Sequence, residues 1–95
     1  MRIIQSRTFE KRVRRFPKQE KKILDQQVRR IAKDPSIGRE KRGELRGVFV
    51  HKSKIHATQY LLSYRMADAE KLELIMIGPH ENYYRDSGTY LRTRR

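Results

Sequence analysis

The spacing of apolar residues changes partway along the chain, and this change limits the fold more than any other feature. Phe9, Val13 and Phe16 follow i, i+4, i+7 spacing. Ile23, Leu24, Val28, Ile31 and Ala32 keep a 3.6-residue period. Two amphipathic helices are therefore predicted, a helical hairpin across residues 9–33. Thr8 is the expected first N-cap, with Glu10 near the positive end of the helix dipole. Pro17 breaks that helix or opens the next, and Asp34-Pro35 stops the second. Residues 36–43 read as a loop. Beyond them the period falls to two. Val48-Phe49-Val50 begins a strand, residues 57–66 form another, and Leu72 to Ile77 a third. Ile3 and Ile4 open a short strand at the start, and Ala67 to Glu70 form a turn. Gly78-Pro79 ends the sheet and starts a last helix, Gly as N-cap and Pro at N1. The order is β-α-α-β-β-β-α. This is an α+β fold with helices on one face of a small, mainly antiparallel four-stranded sheet, the other face open.

Ninety-five residues make one domain, residues 1–95. The chain holds 24 Lys and Arg against 11 Asp and Glu, a net charge of +13. Such a balance argues against an enzyme of neutral metabolites and points to a polyanion partner. The first half dominates: residues 1–47 carry 16 basic and 6 acidic side chains. With no cysteine, disulfides, thiolate zinc and iron–sulfur clusters are excluded. No two histidines have metal-site helical spacing, and no glycine-rich phosphate loop or serine elbow occurs, so neither metal nor cofactor is expected. No apolar run approaches about 18 residues, and the N-terminal residues do not read as a secretory signal, so the expected compartment is the cytoplasm, with no membrane partner.

Lys52 and Lys54 are two apart on a predicted strand, so both ammonium groups project from one face. They suit either a phosphodiester or a solvated strand end. Tyr60, Leu62 and Tyr64 share one strand face, and Leu61, Ser63 and Arg65 the other. If the tyrosines face the helices, Arg65 is on the open face. There it clamps a phosphate or forms a salt bridge with Glu73. His80 and Tyr84 are one helical turn apart, hence on one side of the last helix. The histidine can move protons and the tyrosine can stack on a base, or both can be structural.

At these residues the chain resembles the RelE/ParE superfamily of bacterial toxin–antitoxin toxins. The likeness runs through Glu44-Leu45-Arg46-Gly47 and Tyr60 to Arg65. It is most specific there and across Gly78-Pro79-His80-Glu81-Asn82-Tyr83-Tyr84-Arg85. The resemblance implies a four-stranded antiparallel sheet flanked by a helical hairpin and a C-terminal helix. It also implies one of two activities: ribosome-dependent cutting of mRNA in the A site, or inhibition of DNA gyrase. Lys52 and Lys54 match the family's Lys-x-Lys pair, and His80 and Tyr84 its C-terminal histidine or arginine and the following aromatic. Where the RelE pattern has an arginine, this chain has Leu61, and Arg65 is the candidate substitute. The expected activity is a metal-independent endoribonuclease. Its catalytic set would be His80 as acid, Lys52 or Lys54 as base, Arg65 on the phosphate and Tyr84 on a base. Arg12, Arg15, Lys18, Lys22, Arg29 and Arg30, with His51 and Arg85, are the expected RNA and ribosome contacts, or else a solvated basic surface. The expected partners are the ribosome and a cognate antitoxin. A gyrase inhibitor and a non-catalytic nucleic-acid-binding module are the alternatives.

Overall fold

The computed structural model describes residues 1–41, 43 and 47–80. The elements run β1 (Arg2–Gln5), α1 (Arg7–Arg14), α2 (Lys18–Lys33), a 3₁₀ turn (Pro35–Ile37), β2 (Arg39–Glu40), β3 (Phe49–Ile55), β4 (Thr58–Asp68) and β5 (Lys71–Pro79). The strands form one five-stranded sheet in the order β1-β5-β4-β3-β2. β1 pairs parallel with β5, and the other neighbours are antiparallel. The α+β architecture is therefore as expected, but the sheet is mixed and has five strands.

Both corrections have a physical reason. Arg39–Glu40 falls in a segment read as a loop, because two charged residues carry no apolar alternation. They are held by pairing with Val50 and Phe49. The chain leaves β1, crosses through both helices and later returns as β5 alongside it, which makes that pair parallel. β5 also runs through Gly78 to Pro79, opposite Leu61 and Tyr60, rather than ending before them. The expected C-terminal helix lies outside the described residues.

Helix α1 begins two residues earlier than a Thr8 cap would place it. Ser6 is the N-cap: its Oγ accepts from the Phe9 N–H at 3.0 Å and donates to the Ile75 carbonyl at 2.6 Å. One serine thus caps the helix and ties it to the sheet. Pro17 precedes α2 as its N-cap. The apolar stripes meet the sheet as their spacing requires. Phe9, Leu24 and Ile31 are buried with Ile55, Leu62, Tyr64, Leu72, Leu74 and Ile77, and Val13, Phe16, Ile23, Val28 and Ala32 pack against them.

The face opposite the helices is not bare. Val48, Val50, Leu61, Ile75 and Met76 form a second buried cluster there. Ile75 and Met76 are neighbours in sequence, yet both join it. An irregularity makes this possible: Ser63 faces Met76 while Tyr64 faces Leu74, which leaves Ile75 as the extra residue of a bulge. Among the described residues no helix is long and apolar enough to cross a membrane.

Candidate active site

Strand β3 alternates strictly. Phe49 and Ile55 join the core on the helix side, while Val50 belongs to the far cluster. Lys52 and Lys54 therefore share the far face, about 7 Å apart along the strand, and both are exposed. β2 pairs only with Phe49 and Val50, so β3 from His51 onward has no partner on that side among the described residues.

Beside this edge lies a cleft of about 400 Å³ lined by Ile37, Arg39, Lys41, Val50, His51, Lys52 and His80. Lys52 stands opposite Leu61, and Leu61 opposite Gly78, two residues before His80. The topology thus brings a lysine and a histidine 28 positions apart onto one cleft. Among the described residues its lining holds three cations, two histidines and no carboxylate. Such a lining suits a polyanion.

His51 has a defined setting. Its Nε2 is 3.0 Å from Oε1 of Gln27 on α2. Burial, and then the Arg30 guanidinium, hold its pKa below the usual histidine value. His51 is therefore neutral at pH 7. The contact ties the ring to α2.

Arg65 is placed differently from the lysines. It is on the far face, but Lys52 pairs with Leu61, four residues earlier and about 13 Å along the strand. Arg65 faces Glu73 across the β4–β5 pair, and its Nε donates to Oε1 at 2.5 Å. Of the two readings of Arg65, the salt bridge is the one observed.

The family model for the ParE-like toxin of type II bacterial toxin–antitoxin systems matches residues 3–87. The chain belongs to this family. Two solved structures resemble this ParE-like toxin in fold. One is the isolated E. coli RelE toxin, with 18% identity, 97% of each chain covered and a TM-score of 0.66. The other is the intact E. coli RelBE toxin–antitoxin complex, with 18% identity, 81% of this chain and 93% of that one covered, and a TM-score of 0.64. No curated protein matches the chain.

Of the site residues expected from sequence, the toxin brings His51, Lys52 and His80 onto one cleft, with Arg30 acting on His51. Lys54 is on the same strand face, one step beyond. Arg12 and Arg15 are elsewhere. With Lys11 they line a groove of about 430 Å³ over Phe16, Tyr60, Ile77, Gly78 and Pro79. Arg29 borders a third groove with Asp25 and Ile3. Lys18 and Lys22 are exposed on α2. Tyr84 and Arg85 lie outside the described residues. The sequence reading missed Arg39, Lys41 and Gln27. The first two stood in an apparent loop, and a glutamine on a polar helix face gives no signal until its helix is docked. Among the described residues, no group of three or more His, Cys, Asp or Glu could hold a metal.

Proposed function

We propose that this toxin is a metal-independent endoribonuclease that cuts mRNA in the ribosomal A site, stops translation and arrests growth in the cytoplasm. The observation that carries this reading is the shared cleft of His80 and Lys52, lined among the described residues by cations and no carboxylate. The likeness in fold to the E. coli RelE toxin supports it. In the reaction a 2′-hydroxyl attacks the adjacent phosphorus, leaving a 2′,3′-cyclic phosphate and a 5′-hydroxyl. Lys52, Lys41 and Arg39 offset the charge on the non-bridging oxygens, and His80 protonates the departing 5′ oxygen. Tyr84 stacks on a base of the substrate. The ribosome is the partner that orders the mRNA. The RelBE structure holds a toxin with its antitoxin, and a cognate antitoxin is the partner proposed to silence this chain.

Gyrase inhibition is the second reading. It is favoured by the ParE-like family model and by the engagement of Arg65 with Glu73. A translating extract separates the two. With purified toxin, primer extension is expected to show ribosome-dependent 5′ ends at A-site codons that disappear with His80→Ala. Intact mRNA at toxic doses, with loss of gyrase supercoiling, would establish the second reading instead.

A further inference from the structure

We infer that Arg39 is the arginine that grips the scissile phosphate and that Tyr64 is the residue that positions it. The inference rests on the ribonuclease reading above, and it gives to β2 the role that the sequence offered to Arg65.

The register of β2 carries it. Arg39 pairs with Val50, and the Lys41 N–H donates to the Val48 carbonyl at 2.8 Å. Val48 and Val50 both belong to the cluster on the face away from the helices. Residues opposite one another in a sheet project to the same side. Arg39 and Lys41 therefore share that face with Lys52, and all three line the cleft. Lys52 stands two residues beyond Val50, which makes it the diagonal neighbour of Arg39, about 7 Å away. One phosphate group is within reach of both side chains. Glu40, between the two cations of this segment, takes the opposite face beside Phe49, and its Oε2 accepts from the Gly47 N–H at 3.1 Å.

β2 is a two-residue edge strand, so pairing alone holds it weakly. Its second anchor is the turn before it. The Tyr64 hydroxyl donates to the Pro35 carbonyl and accepts from the N–H of Gly38, the residue next to Arg39. Tyr64 belongs to the helix-side core and touches no substrate. It acts by fixing the backbone from which Arg39 projects. The guanidinium fork then offers two parallel N–H donors to the non-bridging oxygens. Those oxygens gain charge as the 2′ oxygen bonds to phosphorus, so the grip of Arg39 and Lys52 strengthens in the transition state.

The test is single-turnover cutting by the full chain on programmed ribosomes at saturating toxin. Arg39→Ala is expected to lower the rate about 10²–10³-fold. Arg39→Lys keeps the charge without the fork and is expected to recover only part of it. Sulfur in place of a non-bridging oxygen at the cut site should slow the parent chain more than Arg39→Ala, which has already lost that contact. Tyr64→Phe is expected to slow the parent chain, and to add nothing once Arg39 is alanine. Equal slowing in both backgrounds, or none in either, would overturn the positioning role of Tyr64. Full-rate cutting by either Arg39 variant overturns the assignment but leaves the ribonuclease reading intact. Absence of cutting by the parent chain overturns both. Thermal unfolding of each variant keeps the comparison among folded chains, and Arg39→Lys decides the matter if Arg39→Ala does not fold.

Discussion

Arg65 shows how one register position decides what a cation does. Glu73 is only 7% exposed, and Arg65 crosses from β4 to reach it. A buried carboxylate without its cation costs more than an ordinary surface charge, although the half-exposed guanidinium is partly screened. Arg65→Ala is expected to lower the unfolding free energy by about 1–2 kcal/mol. The cutting rate of the folded fraction should stay unchanged. Urea unfolding beside an mRNA assay checks both, and a loss of rate at unchanged stability would return Arg65 to the chemistry. Strand alternation was enough to set Arg65 and Tyr64 on opposite faces, because period two needs only one strand; which face meets the helices followed from the docked fold. The choice between phosphate and Glu73 needed the pairing of two strands, which no single segment carries. For the same reason Lys52 and His80 were each visible in the sequence, but their meeting was not.

Among the elements, the 3₁₀ turn after α2 matters most for the cleft, since it leads directly into Arg39 and Lys41. Tyr64 ties it to the sheet. The Tyr64 hydroxyl donates to the Pro35 carbonyl at 2.6 Å and accepts from the Gly38 N–H at 2.9 Å, while its ring stacks on Phe49 at 5.7 Å. Gly38 has no spare room: a Cβ there would stand 2.3 Å from that hydroxyl. Tyr64→Phe keeps the ring and strands both backbone groups, at a cost of about 1–2 kcal/mol. The melting temperature should fall by about 4–8 °C for each kcal/mol in a chain of this size. A change under about 2 °C by calorimetry would mean that the turn is held by other contacts. The helices were legible because their stripes bury against a sheet. This turn was not, because its support comes from a tyrosine 29 positions from Pro35. The cap at Ser6 was missed likewise: its hydroxyl bonds Ile75, 69 residues away, and local preference did not separate it from Thr8.

For the whole molecule, the net charge of +13 suits a polyanion partner, but only the fold says where that charge converges. Pro79 lines the groove under α1, and His80, the next residue, lines the cleft beside β3. The two depressions therefore adjoin at the end of β5, with Lys11, Arg12 and Arg15 on one side and Arg39, Lys41 and Lys52 on the other. A single strand of RNA held at His80 has a cationic path onward over Tyr60 and Phe16. Each phosphate neutralised along it releases condensed counterions, so the logarithm of the association constant falls by about 0.7 per contact against the logarithm of salt. Lys11→Ala with Arg15→Ala is expected to reduce that slope by about 1.4 for a 2′-O-methyl RNA, which lacks the attacking hydroxyl and stays whole. Lys18→Ala with Lys22→Ala, on the exposed start of α2, serves as the comparison at equal charge. A groove that receives RNA gives the larger change for the first pair. Equal changes for both pairs would mean that the protein attracts RNA through its overall field alone, and that only the cleft at His80 has a place for it.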